Sequence, residues 1–339
     1  MKRITFAVPC YNSSAYMKKC IDSLLIAGED AEIIIVNDGS NKDNTAEIAD
    51  NYQKDYPSII KVIHKENGGH GDAVTVGIKN ATGKYFKVVD SDDWLEENAL
   101  KKLMEFLNSL DDENSPDTII CNYVYEHVHE NKQRFVNYKK EFPVNRIFSF
   151  EETKPFAVGK YIAMHSLIYK TSILHEINLT LPKHTFYVDN VFIVKPLMVV
   201  KTFYYLDLDL YRYFIGRESQ SVNESVIMKN IDQHIRMTKV LINDCDLDLI
   251  KDKHPKRYEY LLNHFAILFT INSIYLIKIG TKESERKRLE FWEELKEKAP
   301  NTYRRIRKKF VGITASKSKL VCGFSKIGYT IARKIFKFN

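Results

Sequence analysis

The chain has 339 residues, enough to bury a sizeable core and to divide into about two domains. Apolar and aromatic contents of 44% and 12% exclude a disordered chain, and the short apolar run in the opening MKRITFAVPCYN reads as a first strand rather than a signal peptide, which implies the cytoplasm. The net charge of +7 is gathered at one end, since residues 300–339 hold eleven Lys and Arg and no Asp or Glu; five cysteines without CxxC spacing argue against a disulfide framework and against a structural zinc site.

In chain order, RITFAVP predicts the first strand, and Met17, Ile21, Leu24 and Leu25 share one face of the helix after it. AEIIIVND predicts the second strand, a polar helix spans roughly 44–54, and IIKVIH predicts the third strand. GDAVTVGIKNA reads as a helix and KYFKVV as the fourth strand, after which Leu100, Leu103, Met104 and Leu107 stripe a fourth helix. This alternation is the signature of strand–helix units on a parallel sheet, whose right-handed crossovers bring the strand carboxyl ends to one ligand-binding edge. Three polar strand exits meet there: PCYN (9–12), NDGS (37–40) and DSDD (90–93). Between 118 and about 220, TIICNYVYEHVHENKQRFVNY predicts a hairpin turning near Asn131 and Lys132, SLIYK and FYYLDLDLYRYF predict strands, and NVFIVKPLMVV a helix. Beyond about 224 the pattern is helical. The apolar run 261–279 has nearly the length of a membrane span, but Asn263, His264, Asn272, Ser273 and Lys278 argue for a buried helix, with a membrane interface as the alternative.

The DSDD exit carries the chemistry. Two carboxylates about 4 Å apart repel by roughly 4 kcal/mol at an effective dielectric near 20, so the cluster must spread into water, take up protons or hold a cation. In an extended segment Asp90 and Asp92 share one side and Ser91 and Asp93 the other. An oxygen-only pair suits Mg²⁺ or Mn²⁺, which also holds substrate phosphates. The alternative is a solvated turn with Asp93 capping the next helix. Asp38 either accepts a hydrogen bond from a base edge or makes an Asx turn around Gly39, and NGGHG (67–71) either presents backbone N–H groups to phosphates or is a plain loop. His127 and His129 share a strand face, as metal ligands or as a solvent-facing pair, and His165 lines an acceptor site or packs against Tyr161 and Tyr169. Neither GxxxxGK[ST] nor GxGxxG occurs, which removes the main support for kinase, ATPase and dinucleotide-dependent chemistry.

VPCYN, VNDGS followed by Asp43 and Thr45, KENGG and VVDSDDW stand in the order and spacing of the inverting family-2 glycosyltransferases, and the chain resembles that family, in its bacterial cell-surface polysaccharide type, over residues 1–95 and more loosely to 220. The resemblance implies an α/β GT-A fold, a Rossmann-like, mostly parallel sheet. Its catalytic domain would span 1–223, with a nucleotide-binding half (1–117) and an acceptor and base half (118–223), followed by an all-helical region, 224–339, that ends in a basic amphipathic tail from 300. By the same likeness Pro9, Tyr11 and Asp38 hold uridine, Asn12 and Asn67 lie near the nucleotide, and Asp90 and Ser91 near ribose and diphosphate. Asp92, with Asp90, would carry Mg²⁺ or Mn²⁺. Family members often continue the Asn-Gly-Gly segment into Ala-Arg-Asn, where this chain has Ala73, Val74 and Thr75, so His70 or a later arginine would have to supply the missing cation. HTFYVDNVF resembles the segment in which an acidic pair precedes a helix; Val188 replaces the first acid, and Asp189 is either the catalytic base or a cap of the helix from Asn190. YRYFIGRESQSV (211–222) resembles the loop that closes over the diphosphate, through Arg217 and Ser219, or is a solvated hairpin.

The expected activity is metal-dependent, inverting transfer of a hexosyl or N-acetylhexosaminyl group from a UDP-sugar to a hydroxyl of a surface glycan or lipid-linked precursor. A nucleotidyltransferase and a non-catalytic partner that binds sugar nucleotide or membrane are the rivals. In the tail, Phe324, Ile327, Ile331, Ile335 and Phe338 form one helical stripe, with Lys326, Arg333, Lys334 and Lys337 largely off it. That pattern predicts peripheral docking on the anionic inner face of the cell membrane, and with no nucleic-acid module present no nucleic-acid partner is expected. Homo-oligomerisation stays open.

Overall fold

The computed structural model describes residues 2–111, 115–157, 159–216 and 224–318, together with the backbone but not the side chain of His129. The chain divides into two compact units, one of residues 1–154 and 162–216, the other of 155–161 and everything from Arg217.

The first unit opens with β1 (Ile4–Cys10), α1 (Met17–Leu25), β2 (Ala31–Asp38), α2 (Thr45–Asp55) and β3 (Ile60–Lys65). α3 (His70–Asn80), β4 (Tyr85–Val88), β5 (Trp94–Leu95) and α4 (Glu97–Ser109) follow. Every residue of β1 and β2 is buried, as expected of central parallel strands covered on both faces. α1 buries Met17, Cys20, Ile21 and Leu24, the spacing of one helical face. The start of α4 is capped by Glu96, whose carboxylate accepts from Ala99 N at 2.7 Å, so the capping expected of Asp93 falls to a different acid.

Then come β6 (Thr118–His127), β7 (Lys132–Val136), β8 (Ile147–Phe148), β9 (Leu167–Lys170), α5 (Thr171–Glu176), α6 (Asp189–Leu197) and β10 (Phe203–Ile215). The β6–β7 hairpin turns through Asn131 in the left-handed region, φ 48°. The ten strands form one sheet in the order β3-β2-β1-β4-β9-β6-β10-β5, with β7 on β6 and β8 on β10. β1 to β4 run parallel, as do β6 and β10, but β9 lies antiparallel between β4 and β6. The strand ends therefore do not all meet at one edge with the same sense. Where its neighbours finish, β9 begins, and the residues just before it, including His165, arrive at the carboxyl edge from the other direction.

α3 lies against β1 through Gly77, where an added Cβ would stand 2.7 Å from the Ala7 Cβ. Val74, at the position where the family often has arginine, is fully buried on the same helix, so no cation is missing from a ligand-facing position there.

The second unit holds α7 (Glu224–Lys229), α8 (Ile231–Asp244), α9 (Asp248–Lys251), α10 (Pro255–Ile279), α11 (Lys282–Lys298) and α12 (Pro300–Arg307). Among the described residues α10 alone is long and apolar enough to cross a membrane, and 72% of its apolar window is buried inside the protein. Its polar residues are used internally: Asn272 Oδ1 accepts from His234 Nδ1 at 2.9 Å while Asn272 Nδ2 donates to Thr238 Oγ1, and Ser273 accepts from the Trp292 indole at 3.0 Å. This is a core helix. Phe269 stacks on Phe291 with ring centroids 4.2 Å apart.

Replacing Gly77 by valine should destabilise the first unit by about 2 kcal/mol, because the β1–α3 contact leaves no room for branched carbons. Urea unfolding followed by circular dichroism measures it; an unchanged midpoint would show that the helix can back away from β1.

Candidate active site

The first strand exit is built by polar stapling. Ala7 and Pro9 turn their backbone groups toward β4; Ala7 O accepts from Val89 N at 3.0 Å, and by Pro9 the β4 ladder has ended, so the missing N–H costs no bond. Asn12 adopts a left-handed conformation, φ 49°, and its Oδ1 accepts from the N–H groups of Asn41 and Lys42. Asp43 accepts from Ser14 N and from both N and Oγ1 of Thr45, while Ser13 N donates to Thr45 Oγ1 at 2.7 Å. Loops 11–14 and 40–45 are thereby locked together, and the Tyr11 side chain projects from them 49% exposed.

Asp38 is almost fully buried and saturated. One carboxylate oxygen accepts from Lys65 Nζ at 2.5 Å and Gly68 N at 2.8 Å, the other from Gly69 N at 2.8 Å and Asn67 Nδ2 at 3.2 Å. Two sequence expectations change here. The Asx turn expected of Asp38 is not made; instead Asn37 Oδ1 accepts from Ser40 N, three residues on, at 3.1 Å. The amides of Gly68 and Gly69 point at Asp38 and not at a phosphate, since a buried carboxylate captures the nearest donors. In this arrangement Asp38 keeps no acceptor for a base edge; it shapes the loop that carries Asn67. The glycines are required by space: a Cβ at Gly68 would collide with the Asp72 carboxylate, and Gly69 has φ 83°.

The DSDD exit is a turn, not an extended segment. Asp93 N donates to Asp90 O at 2.9 Å, which breaks the expected alternation and brings Asp90 and Asp93, rather than Asp90 and Asp92, into one cluster. Asp93 is buried and accepts from Tyr211 Oη at 2.5 Å and Phe214 N at 2.8 Å; burial, with Asp90 close by, raises its pKa well above the usual carboxylate range. Asp90 is half-buried and paired with His70 Nε2 at 2.7 Å. Burial alone would lower the His70 pKa, but Asp90, Asp189 and Asp38 outweigh it and the imidazole is raised above 6.5. Ser91 bonds Ser13 Oγ at 2.9 Å, tying this turn to the first exit, and Asp92 sits half-buried on the turn.

Asp189 opens α6. The N–H groups of Val191 and Phe192 are taken by the carbonyl of Val188, and the Asp189 carboxylate accepts from Asn190 Nδ2 at 3.1 Å and from the Asn190 backbone at the start of the helix. Burial raises its pKa to about 6 despite the opposing pull of His70. The segment before it is pinned to α3, with His184 N on Gly68 O at 2.7 Å and Leu181 N on Thr75 Oγ1 at 2.9 Å. Within that pinned segment Tyr187 is held at φ 66°, an uncommon conformation for a bulky residue. His70 therefore feels both Asp90 and Asp189, and one histidine links the two acids that the sequence assigns to separate halves.

Sequence reasoning left His165 between an acceptor site and packing on Tyr161 and Tyr169, and missed its neighbours. Its ring lies among Tyr123, Tyr211 and Tyr213, with centroids 5.7, 4.6 and 4.6 Å away, not against Tyr161 or Tyr169. Its Nδ1 is buried without a hydrogen-bond partner, and burial lowers its pKa to about 4. Beneath it Lys87, fully buried, donates to the His165 carbonyl at 2.6 Å, and burial lowers its pKa to about 8. A lysine inside the apolar run YFKVV was the available signal for Lys87. Ligating atoms of Asp90, Asp93 and His165 all lie within 4.8 Å of one another, the one such group of three or more among the described residues, and His127 is not part of it. Carboxylate oxygens beside an orphaned imidazole nitrogen fit a divalent cation, with Asp92 next to them on the turn. Arg217 and Ser219 lie outside the described residues, as does the side chain of His129.

Residues 5–171 match the family model described as "Glycosyl transferase family 2". An uncharacterized glycosyltransferase of Rickettsia typhi is 27% identical over 282 residues, 83% of this chain and 76% of its own. The curated relatives with the strongest local similarity are matched over 23–36% of their own length, so the chain spans about a quarter to a third of them. Among solved structures, S. aureus TarS residues 1–349, in complex with UDP, superposes with a TM-score of 0.68 at 18% identity, covering 97% of this chain and 92% of that one. The same protein also appears in complex with UDP-GlcNAc. The mannosyltransferase PcManGT from Pyrobaculum calidifontis, in complex with GDP-Man and Mn²⁺, gives 0.54 at 13% identity over 96% of this chain and 87% of that one. At these identities the structural likeness concerns the fold, and it extends over the helical region as well as the sheet. The family match spans the three strand exits and reaches β9, so the part of the chain that builds this site, residues 5–171, is similar to glycosyl transferase family 2 domains and has the GT-A fold.

Proposed function

We propose that the protein transfers a sugar from a UDP-sugar to a hydroxyl of a cell-surface glycan or lipid-linked precursor, with inversion at the anomeric carbon. The observation that carries this reading is the electrostatic group of His70, Asp90 and Asp189 at the carboxyl edge of a domain similar to those of glycosyl transferase family 2. Asp189 is the base. With its pKa near 6 it is mostly ionised at neutral pH yet holds a proton more firmly than an ordinary carboxylate, which suits proton removal from an alcohol in the transition state. The acceptor oxygen gives its proton to Asp189 and attacks the anomeric carbon from the face opposite the nucleotide, the bond from that carbon to the diphosphate oxygen breaks, and UDP departs. Asp90, grouped with Asp93 and His165 and with Asp92 beside it on the turn, would hold Mg²⁺ or Mn²⁺, and a bound cation supplies neutralisation of the departing diphosphate. His70, drawn to Asp90, adds positive charge beside the same group. Tyr11 and Asn67, both exposed, would meet the nucleoside. UDP as the carrier is favoured by the TarS complexes, whereas PcManGT uses the same fold with GDP-Man.

The nucleotidyltransferase reading is weaker because attack on an α-phosphate calls for a cation at the first exit, and Tyr11, Asn12, Ser13 and Ser14 supply none.

Titration calorimetry with UDP and Mn²⁺ tests the donor site: addition of EDTA, or Asp92→Ala, should each weaken UDP at least tenfold, and equal affinity under all three conditions would rule out a metal-assisted site on this turn. A panel of UDP-sugars, screened for slow donor hydrolysis, then identifies the sugar without an acceptor.

The base is tested separately. Asp189→Asn should keep UDP affinity and thermal stability while lowering transfer by about 10²–10⁴-fold. In the wild type, because the ionised form is the active one, kcat/KM should rise with pH through about 6 and level off above it. Near-normal turnover in the variant, or a product that keeps the donor's anomeric configuration by NMR, would overturn the assignment.

A further inference from the structure

The helical unit carries a surface that the transfer reaction does not use. After α12 the chain runs through Lys308 and Lys309 into a short helical stretch, Phe310–Ala315. Phe310 is 68% exposed and Ile313 38% exposed, while Val311, Gly312 and Thr314 between and beside them are buried. Arg304, Arg305, Arg307 and Lys308 are exposed immediately before them, and no acid occurs in the sequence from Pro300 onward.

This display is built rather than loose. Arg288, itself buried, reaches up from α11 and donates to the carbonyls of Thr314 and Ser316, the latter at 3.0 Å. Thr314 Oγ1 closes the stretch on Val311 O at 2.7 Å, Gly312 O accepts from the Arg307 guanidinium, and a Cβ on Gly312 would collide with the Arg307 backbone carbonyl. Ile306 is buried beneath α12. With positions 311, 312 and 314 drawn inward, Phe310 and Ile313 have no orientation left except outward. Part of the charge is used within the unit, Arg305 by Glu259 and Lys309 by Asn263 at 2.8 Å. Arg304 reaches its neighbour Asn301, at 3.3 Å, and stays exposed with Lys308.

We infer that Arg304, Lys308, Phe310 and Ile313 form a docking site for an anionic lipid bilayer. The charge pattern selects that occupant. Cations beside a projecting aromatic and an aliphatic side chain match an interface where headgroup phosphates lie next to acyl chains. A nucleic acid would satisfy the cations but offers nothing to Ile313, and a second copy of this chain would have to bring an acidic apolar surface. The tail stripe read from the sequence, Phe324 to Phe338, lies outside the described residues, and the inference does not use it. Nor does it rest on the transfer reaction, because vesicle binding is read without donor or acceptor.

The test is cosedimentation of the full chain with vesicles of phosphatidylcholine alone and with one quarter phosphatidylglycerol. Binding should appear with the anionic vesicles and fade with salt. Each exposed cation contributes about fivefold near an anionic surface, so Arg304→Gln with Lys308→Gln should weaken binding by roughly twentyfold. Phe310→Ser with Ile313→Ser should weaken it at least tenfold while the thermal melt stays unchanged. In Phe310→Trp, emission should shift to the blue on anionic vesicles and be quenched by brominated lipid, above the background of Trp94 and Trp292. Binding that ignores lipid charge would overturn the proposal. So would binding untouched by both double variants, which would assign docking to residues 319–339. If the indole introduced by Phe310→Trp is already shielded without vesicles, and the sedimentation coefficient rises with concentration, the surface belongs to a second copy of the chain instead.

Discussion

The first unit is organised by the need to compensate negative charge at the ends of its parallel strands. Each carboxylate delivered there meets a different fate. Asp38 collects a lysine, two backbone amides and a side-chain amide; Asp93 is pushed toward its neutral form and held by Tyr211 and Phe214 N; Asp43 is spent on Ser14 and Thr45. These acids are consumed in making the loops rigid. Asp90 is paired with a titratable histidine and Asp189 with a neighbouring amide, so the charge on these two stays open to change by a ligand or a proton. The difference between structural and reactive acids is thus one of which donors the fold has already supplied.

That difference could not be read from the sequence, although the acids themselves could. The apolar runs in AEIIIVND and RITFAVP marked strands because buried parallel strands need unbroken apolar runs, and the glycine pair at 68–69 marked a loop because no side chain fits beside Asp72. Period and punctuation are local properties. The donors to Asp38 come from 27 to 31 residues away, and Tyr211 reaches Asp93 across 118 residues, so only the assembled sheet decides which acid is saturated. The extended reading of DSDD failed for a related reason: alternation applies within a strand, and β4 has already ended at Val88, which frees the chain to turn.

The antiparallel β9 was legible as a strand but not in its direction. The short run SLIYK carries no sign of polarity, and that polarity determines whether the residues before the strand approach the carboxyl edge or leave it. Because β9 runs against its neighbours, His165 enters the site from the side where the parallel strands exit. Lys87 on β4 then anchors the His165 carbonyl, and the tyrosines of β6 and β10 enclose its ring. Burying a lysine is expensive unless its protons are used, and here the carbonyl and the face of Tyr211, 5.2 Å from Nζ, stand in for water.

The same geometry bears on why one histidine can serve two acids. A carboxylate that must remove a proton benefits from burial, which raises its pKa, but unlimited burial would leave it protonated and useless at neutral pH. His70 opposes that drift at Asp189, while its contact with Asp90 raises the imidazole's own pKa. In the proposed reaction, then, Asp189 as base is tuned by the group that also lies beside the leaving diphosphate. Arginine at the position of Val74 could not do this from a site that is fully buried on α3. Position 70, at the first residue of α3, faces the acids instead, and a titratable imidazole there couples the charge state of the donor site to that of the base in a way that a permanently charged guanidinium would not.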